Sequence, residues 1–238
     1  MKLLIIGGVA AGTKVAAKFK RADRSAQVTL ITKDQDISYA GCGLPYYVGG
    51  LIEEERDLIV NTPQKYSALT GVQVLTGREA IALDSHRKVV TVRNLIQGTE
   101  EHYFYDRVVI STGASALVPP MEGGALEGVF KMRAPEDAVK IRSYVQQREV
   151  KKAVVIGGGF IGLEVAENLK AQGISVCVVE FAPQLLQNQL DFEMADYVKR
   201  RLMKLGIRVF TGTKAERLIG EQRVASVKTT AGVLPADL

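Results

Sequence analysis

The sequence contains no tryptophan, only two cysteines, two histidines and seven prolines, and no apolar run long enough to cross a bilayer. Two cysteines cannot form a disulfide framework or a four-ligand zinc site, and His86 and His102 lack the spacing of metal ligands. A reducing, cytoplasmic compartment is therefore expected. The longest uninterrupted apolar-plus-glycine stretch, Ala153 to Leu163, is too short to span a membrane. Met1-Lys2-Leu3-Leu4-Ile5-Ile6 looks like the start of a signal peptide, but Gly7-Gly8 interrupts the run and a basic amphipathic stretch follows where a cleavage site should be.

Charge of one sign is also missing. The net charge is +5, with 14 Lys/Arg against 12 Asp/Glu in residues 1–118 and 17 against 14 in residues 119–238, so no basic arm exists. The modest positive field suits anionic small molecules, and no nucleic-acid signature accompanies it. Neither a nucleic-acid nor a membrane partner is expected.

What is abundant is glycine, 23 in 238 residues, against an ordinary background of 47% hydrophobic and 24% charged residues. Seven of these glycines fall in one local pattern that occurs twice. Leu3-Leu4-Ile5-Ile6 runs into Gly7-Gly8-Val9-Ala10-Ala11-Gly12, then a helical stretch to Ala22 and an apolar run from Val28 to Ile31. Ala153-Val154-Val155-Ile156 runs into Gly157-Gly158-Gly159-Phe160-Ile161-Gly162, then a helix closed by Gly173 and an apolar run from Val176 to Glu180. Each reads as strand, glycine turn, helix, strand, the opening unit of a dinucleotide-binding fold.

The length and this repeat predict an α/β chain of two Rossmann-like βαβ domains, residues 1–118 and residues 119–238 with a linker. Between them, Val72–Leu75, Lys88–Val92 and His102–Tyr105 read as an antiparallel meander, and 107–110 as a buried strand. A helix is predicted over Asp191–Leu205 with Gly206 as its C-cap, then strands over 207–210 and 224–228. Another strand is expected to begin at the end of the chain.

Gly157, Gly159 and Gly162 give the complete G-x-G-x-x-G. The first permits the tight turn, the second lets backbone N–H groups reach a pyrophosphate, and the third allows close helix–strand packing. Glu180, at the end of the following strand, is placed to accept from a ribose 2′-hydroxyl, and no arginine follows it in Phe181-Ala182-Pro183-Gln184, so NADH is favoured over NADPH. The first loop has Val9 where the middle glycine would stand. Two such motifs imply two dinucleotides, most simply a flavin and a nicotinamide.

Cys42 lies in Ser38-Tyr39-Ala40-Gly41-Cys42-Gly43-Leu44-Pro45-Tyr46-Tyr47, flanked by small residues that leave its sulfur approachable. Cys177, inside an apolar strand, reads as a buried small hydrophobe. In the first helix, Ala11, Val15, Phe19 and Ala22 follow helical spacing and are expected to face the sheet. Lys14, Lys18 and Arg21 form a parallel basic stripe. Glu53-Glu54-Glu55 reads as a solvated turn or helix start.

The two glycine motifs, the single cysteine in the 38–46 segment, and Ser111-Thr112-Gly113-Ala114 after a strand resemble the flavin-dependent pyridine nucleotide-disulfide oxidoreductases of the single-cysteine type. Within that group the chain most resembles coenzyme A disulfide reductases and their persulfide-reducing relatives. The resemblance implies FAD held by Gly7, Gly8, Val9, Ala10, Ala11 and Gly12, with Thr32 and Lys33 at the adenosine ribose and Thr112 and Gly113 beside the flavin. It implies NADH at Gly157, Gly159, Phe160, Ile161, Gly162, Glu164 and Glu180, with Phe160 covering the flavin ring and Glu164 near the nicotinamide amide. Cys42 becomes the redox thiol. Lys14, Lys18, Arg21, Ser38 and Gly41 become substrate contacts for a small disulfide or persulfide based on coenzyme A. It further implies a homodimer and C-terminal segments that this chain lacks: the second part of the flavin domain, the last strand of the nicotinamide domain and a dimerisation domain.

Three positions depart from that pattern. Thr32 stands where the family has Glu, implying weaker flavin retention. Gly41 stands where coenzyme A disulfide reductases commonly have Asn. Ala10 stands where peroxidases and water-forming oxidases of the family have His, which makes an NADH oxidase or peroxidase cycling a Cys42 sulfenic acid the second expectation, and a nucleotide-binding fragment without turnover the third.

Overall fold

A computed structural model describes all 238 residues, Met1–Leu238. In chain order the elements are β1 (Lys2–Ile6), α1 (Ala10–Ala22), β2 (Gln27–Ile31), α2 (Leu44–Gly49), α3 (Pro63–Thr70), β3 (Gln73–Leu75), β4 (Arg78–Asp84), β5 (Val89–Asn94), β6 (Glu100–Phe104) and β7 (Arg107–Ile110). There follow α4 (Pro135–Gln147), β8 (Lys152–Ile156), α5 (Phe160–Ala171), β9 (Ser175–Val179), α6 (Phe192–Lys204), β10 (Arg208–Phe210), β11 (Ala215–Gly220), β12 (Val224–Thr229) and β13 (Gly232–Pro235). The chain divides into two compact units, Met1–Ala40 with Ile59–Ser115, and Gly41–Leu58 with Ala116–Leu238.

In the first unit a four-stranded parallel sheet has the order β3-β2-β1-β7. The unbroken apolar run of β1 explains its central place, because a strand covered on both faces has no polar alternation. Leu3 and Ile5 pack with Ala16, Val28, Leu30 and Tyr66, while Leu4 and Ile6 pack with Ile31, Val90 and Val92. The second sheet, β4-β5-β6, is antiparallel with an irregularity between Ala80 and Ala82. The expected meander is therefore shifted by one strand. Residues 73–75 join the parallel sheet as its edge, and β4, whose 78–84 residues do not alternate cleanly, takes their place.

The second unit holds a parallel sheet, β10-β9-β8, and an antiparallel one, β11-β12-β13. β11 and β13 were not legible as strands. Beyond β13, Asp237 N donates to Lys152 O (2.8 Å) and Val154 N to Leu238 O (2.9 Å), so the last residues run beside β8. Helix α6 has the expected ends: the Asp191 carboxylate accepts from Met194 N (2.9 Å), and Gly206 takes a positive φ of 78°.

Residues 41–58, assigned by sequence to the first domain, pack with the second unit. Leu44, Tyr47 and Val48 of α2 are buried in one cluster with Leu163, Ala166 and Leu169 of α5 and Ala138 and Ile141 of α4. Their apolar face has its partners there, which local sequence did not disclose.

Candidate functional site

Both glycine turns are built by steric exclusion. Gly7 has a φ of +113°, and a side chain there would strike the Ser111 carbonyl; one at Gly12 would strike the Gly7 carbonyl. The turn is tied to β7 by Ser111, whose hydroxyl donates to Ile6 O (2.9 Å) and Gly7 O (3.3 Å). Ser111 enters the sequence reading only within the Ser111-Thr112-Gly113-Ala114 segment after a strand, and its bracing of the first glycine turn is not read from it. Val9 precedes α1 without any side-chain cap, and the first turn, with Ala10 and Ala11 exposed, carries no acidic residue. Those uncapped N–H groups fit an anionic diphosphate.

Around this turn lie the other residues expected to hold a flavin. Thr32 is 6% exposed at the end of β2, its methyl 3.2 Å from where a Cβ on Gly8 would sit, and Lys33 beyond it is exposed. Thr112 and Gly113 follow β7 and are exposed. Ser38, at a φ of 50°, donates its N–H to Gly8 O (2.9 Å), which puts the substrate candidate Ser38 against the same loop.

The structure corrects the face of α1. Gly12, Thr13 and Ala16 are buried against the sheet, whereas Ala11, Val15 and Ala22 are exposed and Phe19 is half-buried. Close packing of helix on strand selects the smallest residues of the turn, not the largest. Val15, Phe19 and Ala22 line a shallow cavity of about 310 Å³ together with Lys14 and Lys18, and of these Phe19 also packs, as expected, against the core cluster of Leu3, Ile5 and Ala16. Arg21 is exposed one turn on, so the basic stripe borders an apolar floor.

In the second unit Gly157 has a φ of +115°, and its N–H donates to Val179 O (2.8 Å). A Cβ at Gly162 would strike the Gly157 carbonyl, whereas one at Gly159 would meet nothing within 4 Å. The shape fits a diphosphate: a closed turn, and an open approach at the middle glycine just before α5. Glu180 accepts from Gly158 N (2.5 Å) and Ala182 N (2.7 Å) and is half-buried. Phe160 and Ile161 are exposed, and Glu164 is half-buried one turn further along. Phe160 and Ile161, with Gly157, Gly159 and Gly162, border a cavity of about 540 Å³ also lined by Leu117, Phe130 and Met132. Residues 116–132, which include the Pro119-Pro120 and Gly123-Gly124 stretch that reads in sequence as a linker, thus supply part of its wall.

Cys42 is exposed, in a 3-10 turn (Gly41–Gly43) leading into α2, with Gly41 exposed beside it. Cys177 is 1% exposed, and burial pushes its thiol up from the ordinary cysteine value despite Arg208 nearby. No group of three or more His, Cys, Asp or Glu is arranged to hold a metal ion, and no helix is long and apolar enough to cross a membrane.

Two glycine-turn βαβ units and one exposed cysteine define a dinucleotide-dependent redox fold, and the chain belongs to the pyridine nucleotide-disulphide oxidoreductase family, matched over residues 1–238. Membership implies FAD and a nicotinamide nucleotide as cofactors. The chain is 37% identical over 239 residues to an NADH oxidase of Methanocaldococcus jannaschii, covering 100% of this chain and 53% of that protein. It is 36% identical to an NAD(P)H coenzyme A polysulfide/persulfide reductase of Pyrococcus horikoshii, covering 100% of this chain and 52% of the other. The solved structure of an NAD-dependent persulfide reductase from A. fulgidus superposes with a TM-score of 0.95 at 37% identity, over 100% of this chain and 45% of that one. The chain spans about half the length of the curated relatives it matches.

Proposed function

We propose that this chain carries the nucleotide-binding and thiol machinery of an NADH-dependent reductase of coenzyme A disulfide or persulfide. The observation that carries the reading is that Cys42 is exposed whereas Cys177 is buried, in a chain with two diphosphate-shaped glycine turns. The Gly157–Gly162 turn binds the nicotinamide dinucleotide, with its diphosphate at Gly159. The Glu180 carboxylate, held by Gly158 and Ala182 N–H groups, accepts a ribose hydroxyl and repels a 2′-phosphate, which favours NADH. The Gly7–Gly12 turn binds FAD, which when bound supplies the two-electron relay between nicotinamide and sulfur.

Cys42 acts as a thiolate nucleophile. It attacks one sulfur of the disulfide, the substrate S–S bond breaks, one thiolate leaves and a Cys42–substrate disulfide forms. Two electrons from NADH then cleave that bond, giving the second thiol and regenerating Cys42. Each turnover consumes one disulfide, one NADH and one proton and yields two thiols and NAD+. The α1 cavity has the chemistry of the substrate's nucleotide end: Val15 and Phe19 offer an apolar floor for a base, while Lys14, Lys18 and Arg21 offer charge for phosphates.

In the flavin-loaded protein, Cys42→Ser is expected to abolish disulfide reduction while NADH still reduces the flavin; full turnover by the variant sinks the reading. The second reading, an NADH oxidase, is favoured by the name of the M. jannaschii relative, whereas Ala10 offers no acid for peroxide chemistry. Faster NADH consumption with peroxide or oxygen than with coenzyme A disulfide decides for it. A colourless preparation that binds NADH decides for a fragment without turnover.

A further inference from the structure

The geometry points to Arg142, a residue of α4 outside both glycine turns, as the positioning residue for the Cys42 thiol. The inference rests on the reading of Cys42 as the reacting sulfur. Cys42 precedes α2 by a single 3-10 turn, so the sulfur is placed by that helix. At six residues, α2 is too short to hold itself together, and its position must come from its neighbours.

Its apolar face is buried against α4 and α5, but helix packing alone permits sliding; polar contacts fix the register. One terminal nitrogen of Arg142 donates to Ile52 O (2.8 Å), Glu53 O (2.9 Å) and Tyr47 O (3.2 Å). The guanidinium carbon lies 4.5 Å from the centre of the Tyr47 ring. Tyr47 O belongs to the last turn of α2, where it also accepts from Gly50 N (3.1 Å), and Ile52 O and Glu53 O lie just beyond the helix, so Arg142 ties the C-terminal end of α2, where the macrodipole favours a cation, to the segment that follows it. At the C-cap of α5, Gln172 donates to Val48 O (2.9 Å), and from within α5 Asn168 closes on Gly49, where any side chain would strike its carboxamide oxygen.

Glu164 and Asn168 on α5 and Gln172 at its C-cap are spaced four apart, and Asn168 Nδ2 donates to Glu164 O (2.8 Å). The helix that begins at the nicotinamide turn therefore also carries the clamp on the cysteine segment. Lysine does not replace Arg142, because a compact ammonium on a flexible stem can donate to the carbonyls but lacks the planar guanidinium that lies on the Tyr47 ring and holds the donor in place.

In the flavin-loaded protein, Arg142→Lys is expected to lower kcat for NADH-dependent reduction of coenzyme A disulfide by about 10- to 100-fold, the scale on which a misplaced reacting group acts. The KM for the disulfide and the rate of flavin reduction by NADH should stay within about twofold, since neither depends on where the sulfur lies. Iodoacetamide labelling of Cys42 in the same variant should change in rate while Cys177 stays unlabelled. Gln172→Ala, which removes one bond to α2, should produce the same pattern more weakly and carries the test if Arg142→Lys does not fold. A kcat within about twofold of the parent in the folded variants, or flavin reduction and melting temperature falling in step with kcat, overturns the assignment. Full turnover by Cys42→Ser removes instead the reading on which it rests.

Discussion

Two glycines three residues apart in one turn are required for different reasons. Gly162 is enclosed, and a methyl there meets the Gly157 carbonyl; Gly159 has open space around it. Gly162→Ala is therefore expected to destabilise by roughly 1–3 kcal/mol, as overpacking against backbone does. Gly159→Ala should leave the melting temperature nearly unchanged yet weaken NADH binding about tenfold or more, equivalent to ~1.4 kcal/mol, because the methyl would enter the open space that the proposed reading gives to the diphosphate. Thermal melts beside fluorescence titrations with NADH separate the two, and equal losses in both variants would show that Gly159 serves packing alone. A second residue-scale effect concerns pH. Burial, then hydrogen bonding to Glu101 (2.5 Å), pushes the Tyr103 hydroxyl up to about 12. The folded chain holds the neutral phenol, so its contribution to stability is full below pH 10 and is lost as pH rises from 10 toward 12. Tyr103→Phe should flatten that loss in denaturant midpoints measured across the window; an unchanged slope assigns it to another group.

At the scale of elements, α1 shows what a sequence discloses and what it hides. Its limits, Ala10–Ala22, follow from the glycine turn before it and were legible. Its buried face was not, because periodicity marks the large apolar residues, while the tight crossing over the sheet admits Gly12, Thr13 and Ala16. Ala16→Leu should accordingly cost about 1–3 kcal/mol. Val15→Glu should leave stability within about 0.5 kcal/mol, as surface changes do, and raise the KM for coenzyme A disulfide. Urea melts and steady-state kinetics check both, and a stable Ala16→Leu chain with an unstable Val15→Glu one would restore the face that periodicity suggests. The same logic covers the other departures. β1, β8 and β9 are unbroken apolar runs beside glycine turns and were plain, whereas 73–75 is three residues long and joins the parallel sheet through pairing with β2 that no local pattern encodes. The glycine turns and Cys42 were legible because their chemistry needs particular residues at particular spacings. Arg142 and the 116–132 wall were not, since each acts through contacts with residues distant in sequence.

At the scale of the whole molecule, the two units have separate cores. Leu3, Ile5, Val28 and Leu30 belong to one, and Val48, Leu163, Leu169 and Val178 to the other, although the chain passes from the first unit to the second and back between residues 40 and 59. Separate cores unfold as separate cooperative steps when each buries enough apolar surface of its own. Calorimetry should therefore show two transitions. Leu169→Ala, truncating a side chain 1% exposed in the second core, should lower only one of them, by roughly 2–5 kcal/mol. NADH should raise that same transition, by about 2.7 kcal/mol at 100 times its Kd, because ligand binding stabilises only the unit that contains the site. FAD should raise the transition that Ala16→Leu lowers. A single transition responding to both nucleotides and to both substitutions would mean that the two cores unfold as one. The cysteine segment links the two responses. Residues 41–58 pack with the second core, so Cys42 labelling by iodoacetamide on heating should follow the transition that NADH shifts, and labelling that follows the FAD-dependent transition would place the segment's stability with the first core instead.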